Sequence, residues 1–145
     1  MTNKFKLIIV FYLALNFFGL VNSNENFYEK GLELYKNKKF DDAKFMFERN
    51  IVFNPKDSNS YLYLAKIYKQ QEDQKKEEKN LDATLLLEPS NEEAILMLME
   101  ISLEKSNYSK VKDLSKTFTQ VCKKLCGENK KILETLENIE PKNES

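Results

Sequence analysis

The side chains able to do redox or covalent chemistry reduce to one pair. Cys122 and Cys126 are the only two cysteines of the 145-residue chain, set four positions apart in the phrase CKKLC. In an oxidising compartment an even cysteine count points to a disulfide. Four residues of regular helix rise about 6 Å, inside the ~4.4–6.8 Å span of Cα separations that a disulfide bridges. Gly127 directly afterwards marks the expected helix end, so the bond reads as a staple on a relaxed last turn. The alternative is a thiol-disulfide active pair. Against it, CxxxC is not the CxxC spacing of redox motifs, and no βαβ pattern surrounds it. Metal chemistry lacks ligands, since two thiolates without histidine do not complete a tetrahedral zinc shell.

Absences narrow the function further. The chain has no His and no Trp, so the commonest general base and metal ligand is missing. Beyond residue 23 only Gly31 and Gly127 remain, too few for a glycine-rich phosphate cradle. No catalytic residue, cofactor or small-molecule substrate is expected; the chain does not read as an enzyme. Lys+Arg and Asp+Glu both number 23. Lys4 and Lys6 belong to the N-terminal segment discussed next, which leaves 21 basic residues against those 23 acidic ones. That balance carries no electrostatic footprint for nucleic acid and none for an anionic membrane surface.

Residues 1–6 contain Lys4 and Lys6 and no acid, and residues 7–21 read LIIVFYLALNFFGLV. Val21-Asn22-Ser23 follows, with modest residues flanking a cut. Charge, apolar run and cleavage site in that order read as a secretory signal peptide, residues 1–23, cleaved after Ser23. These fifteen residues, apolar but for Asn16, at about 1.5 Å each fall short of a ~30 Å hydrocarbon core. The expected localisation is exported, periplasmic or secreted. The alternative is a membrane-anchored protein that keeps this segment. Asn107-Tyr108-Ser109 and Asn143-Glu144-Ser145 are glycosylation sequons, relevant only to eukaryotic secretion.

The elements that must position any site are helical. From residue 24 to 140 Gly and Pro are rare and apolar residues recur at three and four, the helical period. Breaks fall at Asn54-Pro55, Glu88-Pro89 and Cys126-Gly127. Pro55 and Pro89 lie 34 residues apart and close the similar phrases FERNIVFNP and LDATLLLEP. This period resembles the tetratricopeptide repeat. In a unit spanning residues 24–57, Phe27, Gly31, Leu34, Ala43, Phe47 and Pro55 fall at the fourth, eighth, eleventh, twentieth, twenty-fourth and thirty-second positions. The unit 58–91 matches with Tyr61, Leu64, Ala65, Tyr68, Leu81 and Pro89, but Glu77 replaces the expected Ala at the twentieth position. The unit 92–125 is degenerate: Ile95 and Leu98 fit, whereas Met99, Ser102 and Lys123 depart from the pattern.

The expected architecture is therefore all-α, a stack of antiparallel helical hairpins closed by a C-terminal capping helix within residues 126–145. Ile132, Leu133, Leu136 and Ile139 share one face of that helix. It either covers the last apolar face, as repeat arrays require, or folds into the groove and occludes it. Ser90 to Glu93 reads as a capping box, and Asp57 or Ser58 as the cap of the second pair.

The resemblance also implies a concave binding surface lined by the first helix of each pair, at the second, fifth, ninth and twelfth positions with the sixth and thirteenth beside them. Carried over, these are Tyr28, Leu32, Tyr35 and Lys36; Leu62, Tyr63, Lys66 and Lys69; and Leu96, Met97, Glu100 and Leu103. Aromatic and apolar anchors among them suit an interface, with lysines near the middle. Some family members grip a C-terminal carboxylate with Lys and Asn in this groove; Tyr28 and Leu32 occupy two of those slots here. The implied function is an adaptor or assembly factor holding an amphipathic helix or extended peptide of a partner protein. A subunit that only builds an oligomer is the remaining reading.

Overall fold

The computed structural model describes residues 26–139. The expected signal segment and the sequon at Asn143 lie outside these residues. The described residues form helices only: α1 (Phe27–Lys36), α2 (Phe40–Phe53), α3 (Ser58–Gln70), α4 (Gln74–Leu87), α5 (Glu92–Glu104), α6 (Tyr108–Val121) and α7 (Cys126–Ile139). Each helix packs on the next, and α7 packs on both α5 and α6. The result is three antiparallel hairpins in a row with a seventh helix closing the end.

The turns repeat with the sequence period. Among the described residues, the non-glycine positions with positive φ are Lys38, Glu72 and Ser106, each 34 residues after the last. At the first turn Lys38 N–H donates to Tyr35 O at 2.9 Å and Lys39 N–H to Leu34 O at 2.9 Å. Ser106 to Leu103 at 2.9 Å and Asn107 to Ser102 at 2.8 Å repeat the pattern. This is the Schellman arrangement, which satisfies the last carbonyls of a helix and normally favours glycine at the left-handed position. The degenerate third unit keeps this backbone although its side chains depart from the repeat.

Helix starts are set by short polar side chains. Asn26, Asp57, Asp73, Asn91 and Asn107 each accept from a backbone N–H three residues on, satisfying an orphan donor of the first turn. The cap of α5 is thus Asn91, not Ser90, and the capping box is not formed; Glu93 instead meets Lys66. Asp57 is the cap of α3, and it also accepts from the buried Asn50 Nδ2 at 2.7 Å and Ser60 Oγ at 2.6 Å, tying α2 to α3.

Small residues set the hairpin spacing. Gly31 on α1 faces the fully buried ring of Phe47 on α2, and a Cβ at Gly31 would stand 2.9 Å from Phe47 Cε1. Ala43, Phe47, Leu64 and Ile67 form the first core. Leu62, Ala65, Leu81, Ala94, Met97, Leu98 and Ile101 form the second. Ile95, Leu96, Met99, Val111, Phe118 and Leu136 form the third. Burying each large member contributes about 1.5–3 kcal/mol.

The break at Cys126-Gly127 is corrected by the structure. Helix α6 ends at Val121, and Gly127 is the second residue of α7. Cys122 and Cys126 are joined with Cα atoms 5.3 Å apart, but they flank the turn between two helices rather than stapling the last turn of one. Cys122 has extended backbone, φ −63° and ψ 139°, so the helical geometry assumed for the pair does not apply.

The approach of Gly31 to Phe47 is testable. Gly31→Val should destabilise the fold by about 1–3 kcal/mol, the usual cost of overpacking, read as a lower urea midpoint at unchanged slope. A midpoint equal to that of the parent chain would contradict the close contact.

Candidate functional site

The odd-numbered helices line one side of the stack, and three adjoining hollows lie along it. The first, of about 510 Å³, is lined by Tyr35 of α1, Lys66, Lys69 and Gln70 of α3, Glu93, Leu96, Met97 and Glu100 of α5, and Leu125 of the last turn. The second, about 450 Å³, shares Leu96 and Glu100 and continues through Leu103 and Glu104 to Glu128, Lys131, Ile132 and Thr135. The third, about 280 Å³, shares Lys69, Glu100 and Glu104 and reaches Glu72, Gln74, Glu77 and Ile101. Shared lining residues make the three one continuous groove from α1 to α7.

An aromatic cluster packs behind Tyr35 at its α1 end. Tyr63 stacks on the buried Phe47 at 5.2 Å between ring centroids, and Tyr35 meets Tyr63 edge-on at 5.1 Å. Tyr28 joins from α1, 5.9 Å from Phe47 and 6.2 Å from Tyr63. Such tilted and offset pairs suit the ring quadrupoles. Burial, with the charges of Tyr63, Asp57 and Glu29, pushes the Tyr28 hydroxyl up to about 12, so it stays neutral over the physiological range.

The lysines of the groove are paired, which alters the expected electrostatics. Lys66 Nζ lies 2.8 Å from Glu93 Oε2 and 4.7 Å from the Tyr63 ring centroid. Lys69 Nζ lies 2.5 Å from Glu100 Oε2. Burial disfavours the Lys69 ammonium, but the bond to Glu100 and the charges of Glu100, Glu77 and Glu104 outweigh it and hold its pKa above the ordinary lysine value. Both bridges link α3 to α5, so neither lysine is a free positive group. Around Lys69 the surplus is acidic: Glu72, Glu77, Glu100 and Glu104 share its hollow.

The sequence-derived positions divide into three sets. Tyr35, Lys66, Lys69, Leu96, Met97, Glu100 and Leu103 line the groove. Leu62 is a core residue, 5% exposed, and Leu96 and Met97 are 8% and 7% exposed, so each presents only an edge or none to solvent. Tyr28 and Tyr63 of the aromatic cluster, with Leu32 and Lys36, line none of the three hollows; Tyr28 lines a separate one beside Asn26, Phe53 and Pro55. Gln70 and Glu93 were missed, yet they occupy the thirteenth and second positions that the repeat pattern names. Leu125 and the α7 residues carried no such signal, because the pattern stops with the third unit.

Glu77 stands at the position where the repeat expects Ala, and it is buried at 5% exposure. Burial raises its pKa above the ordinary glutamate value; Lys69 pulls the other way, and Glu104 and Glu100 add to the rise.

No family model matches the chain, and no curated protein is similar to it. Solved structures are. The type III secretion chaperone SycD of Yersinia enterocolitica, in complex with a peptide of the translocator YopD, superposes with a TM-score of 0.72 at 15% identity, over 81% of this chain and 94% of that one. The first TPR of Spaghetti (RPAP3), bound to the HSP90 peptide SRMEEVD, gives 0.64 at 17% identity, over 77% and 90%. The Sgt2 TPR domain of Aspergillus fumigatus gives 0.66 at 11% identity, over 86% and 89%. These likenesses show the fold: an all-α tetratricopeptide-type solenoid.

A raised folded-state pKa means that the fold favours protonated Glu77. That contribution is full below the ordinary glutamate value and is lost as pH rises through the folded value. Above that folded value the ionised side chain burdens the fold. Glu77→Gln should raise Tm by roughly 2–5 °C at pH 7, with the advantage shrinking towards pH 4. Thermal melts at both pH values decide it; an equal or lower Tm at pH 7 contradicts the assignment.

Proposed function

We propose that the chain is an exported peptide-binding scaffold, freed of residues 1–23 and acting as an adaptor or assembly factor that holds a segment of a partner protein in its groove. The carrying observation is the continuity of the three hollows, which join Tyr35 at one end to Thr135 at the other and draw on five helices. A groove of this form accepts an extended segment or an amphipathic helix. Its floor offers Tyr35, Leu96, Met97 and Leu125 as apolar contacts, and its rim offers charge. The acidic surplus around Lys69 favours a segment with Lys or Arg beside its apolar anchors, through charge complementarity. The peptide complexes of SycD and of Spaghetti support the mode of binding, though not the identity of the partner. Binding rather than catalysis is the reading for a groove with paired charges and no histidine.

A photo-crosslinking amino acid at Gln70, inside the groove, should capture a partner polypeptide in the native compartment, while one at Lys116 on α6 should not. A synthetic peptide of the captured segment should bind Leu103→Asp at least tenfold more weakly than the parent chain by calorimetry. Circular dichroism of that variant should be unchanged. Equal affinity for both chains would place the binding surface elsewhere.

A further inference from the structure

The turns that lead from one hairpin to the next occur in register, and the last is built differently. The first two run Asn54-Pro55-Lys56-Asp57 and Glu88-Pro89-Ser90-Asn91. In each, Pro restricts the backbone. The fourth residue caps the next helix and donates its N–H back to the first residue's carbonyl, at 3.1 Å in both. The third turn is Cys122-Lys123-Lys124-Leu125, with neither the Pro nor a capping side chain. Two other devices hold it. One is the disulfide to Cys126. The other is the Glu92 carboxylate at the start of α5, which accepts from the N–H groups of Lys123 at 3.0 Å, Lys124 at 3.0 Å and Leu125 at 2.7 Å.

This turn positions two parts of the groove. Leu125, 36% exposed, stands in the first hollow opposite Tyr35. Helix α7 starts at Cys126 and lays Ile132, Leu133 and Leu136 over the core around Met99 and Phe118. Of the turn's two fastenings, only the covalent one ties its ends together, and its Cys126 side is exposed.

We propose that the Cys122–Cys126 disulfide is a redox-operated latch: oxidised, it seats Leu125 and docks α7 as the far wall of the groove; reduced, it releases both. A dithiol is the reductant. One of its thiolates attacks the sulfur of Cys126, the more exposed residue of the pair, forming a mixed disulfide and expelling Cys122 as thiolate, which takes up a proton. The reductant's second sulfur then displaces Cys126, which is protonated in turn. The reductant leaves as a disulfide, and the protein has gained two electrons and two protons. The latch acts locally, because a three-residue loop constrains little of the unfolded chain and the cores under α1 to α4 contain no residue of α7.

Hydrogen–deuterium exchange of the whole chain tests this without any partner, so its outcome is separate from that of the peptide-binding reading. With dithiothreitol, amides of residues 123–139 should exchange at least tenfold faster while those of α1 to α4 change less than twofold. Cys122→Ser with Cys126→Ser should reproduce the pattern without reductant. Glu92→Gln with the disulfide intact should accelerate only residues 123–125. Unchanged exchange in α7 on reduction, acceleration spread over all helices, or release of α7 by Glu92→Gln alone would each overturn the latch.

Discussion

Helix α5 buries Ala94, Ile95, Leu96, Met97, Leu98, Met99, Ile101 and Ser102. Six of these are consecutive, so the helix is apolar over most of its circumference and must be covered on both flanks, with only the stripe of Glu93, Glu100 and Glu104 left open to the groove. The α3–α4 hairpin covers one flank through Leu62, Ala65 and Leu81. Helices α6 and α7 cover the other through Val111, Phe118 and Leu136. Met97 sits in one core and Leu96 in the other, although they are neighbours in sequence. The stack is thus organised about a helix that belongs to both cores, and a terminal helix is required because the third hairpin alone leaves that helix open.

The charged pairs along the groove do a different task. Lys66–Glu93 and Lys69–Glu100 bridge α3 and α5, with side chains 19–48% exposed. Pairs of this kind contribute about 0–1 kcal/mol each, far less than the apolar burial between the same helices. What they determine is charge along the groove. Each lysine is neutralised by a glutamate of the adjacent repeat, and Glu72, Glu77 and Glu104 then stand in excess. A partner therefore meets apolar edges between paired or acidic groups, not the basic strip that the lysine positions alone suggested.

Much of the architecture is legible in the residues. The 34-residue spacing of Pro55 and Pro89, and the small residue Gly31 at the eighth position of its unit, place the helices and mark where two of them approach. The period reaches further than its side chains: Ser58, Glu92 and Cys126 each begin a first helix, so α7 opens a fourth unit rather than being a foreign cap. Two features were hidden for physical reasons. CxxxC satisfies a disulfide equally well on a helix and across a turn, and no Pro at residue 123 signalled the turn. Repeat positions name the face on which Leu62, Leu96 and Met97 lie, but not how far neighbouring helices cover that face; the largely apolar surface of α5 draws its neighbours in and leaves those side chains mostly enclosed.

The two ends of the groove consequently differ in how they are held. At the α1 end, Phe47 is enclosed by Tyr28 and Tyr63 and abuts Gly31, and the turn to α3 is fixed by Pro55 and by the Asn50–Asp57–Ser60 hydrogen bonds. Interlocked rings and a satisfied buried polar network have one arrangement, and moving any member exposes the others. At the α7 end the turn is held by a carboxylate and a sulfur bridge, and α7 rests on a single apolar face with its opposite face in water. Glu92 is kept ionised by the bond from the Leu125 N–H, outweighing its desolvation, with those from Lys124 and Lys123 and the charge of Lys124 adding to it. That clamp is electrostatic and local, whereas the aromatic end depends on packing throughout its volume. A groove with one packed wall and one fastened wall has its capacity for adjustment at the fastened end.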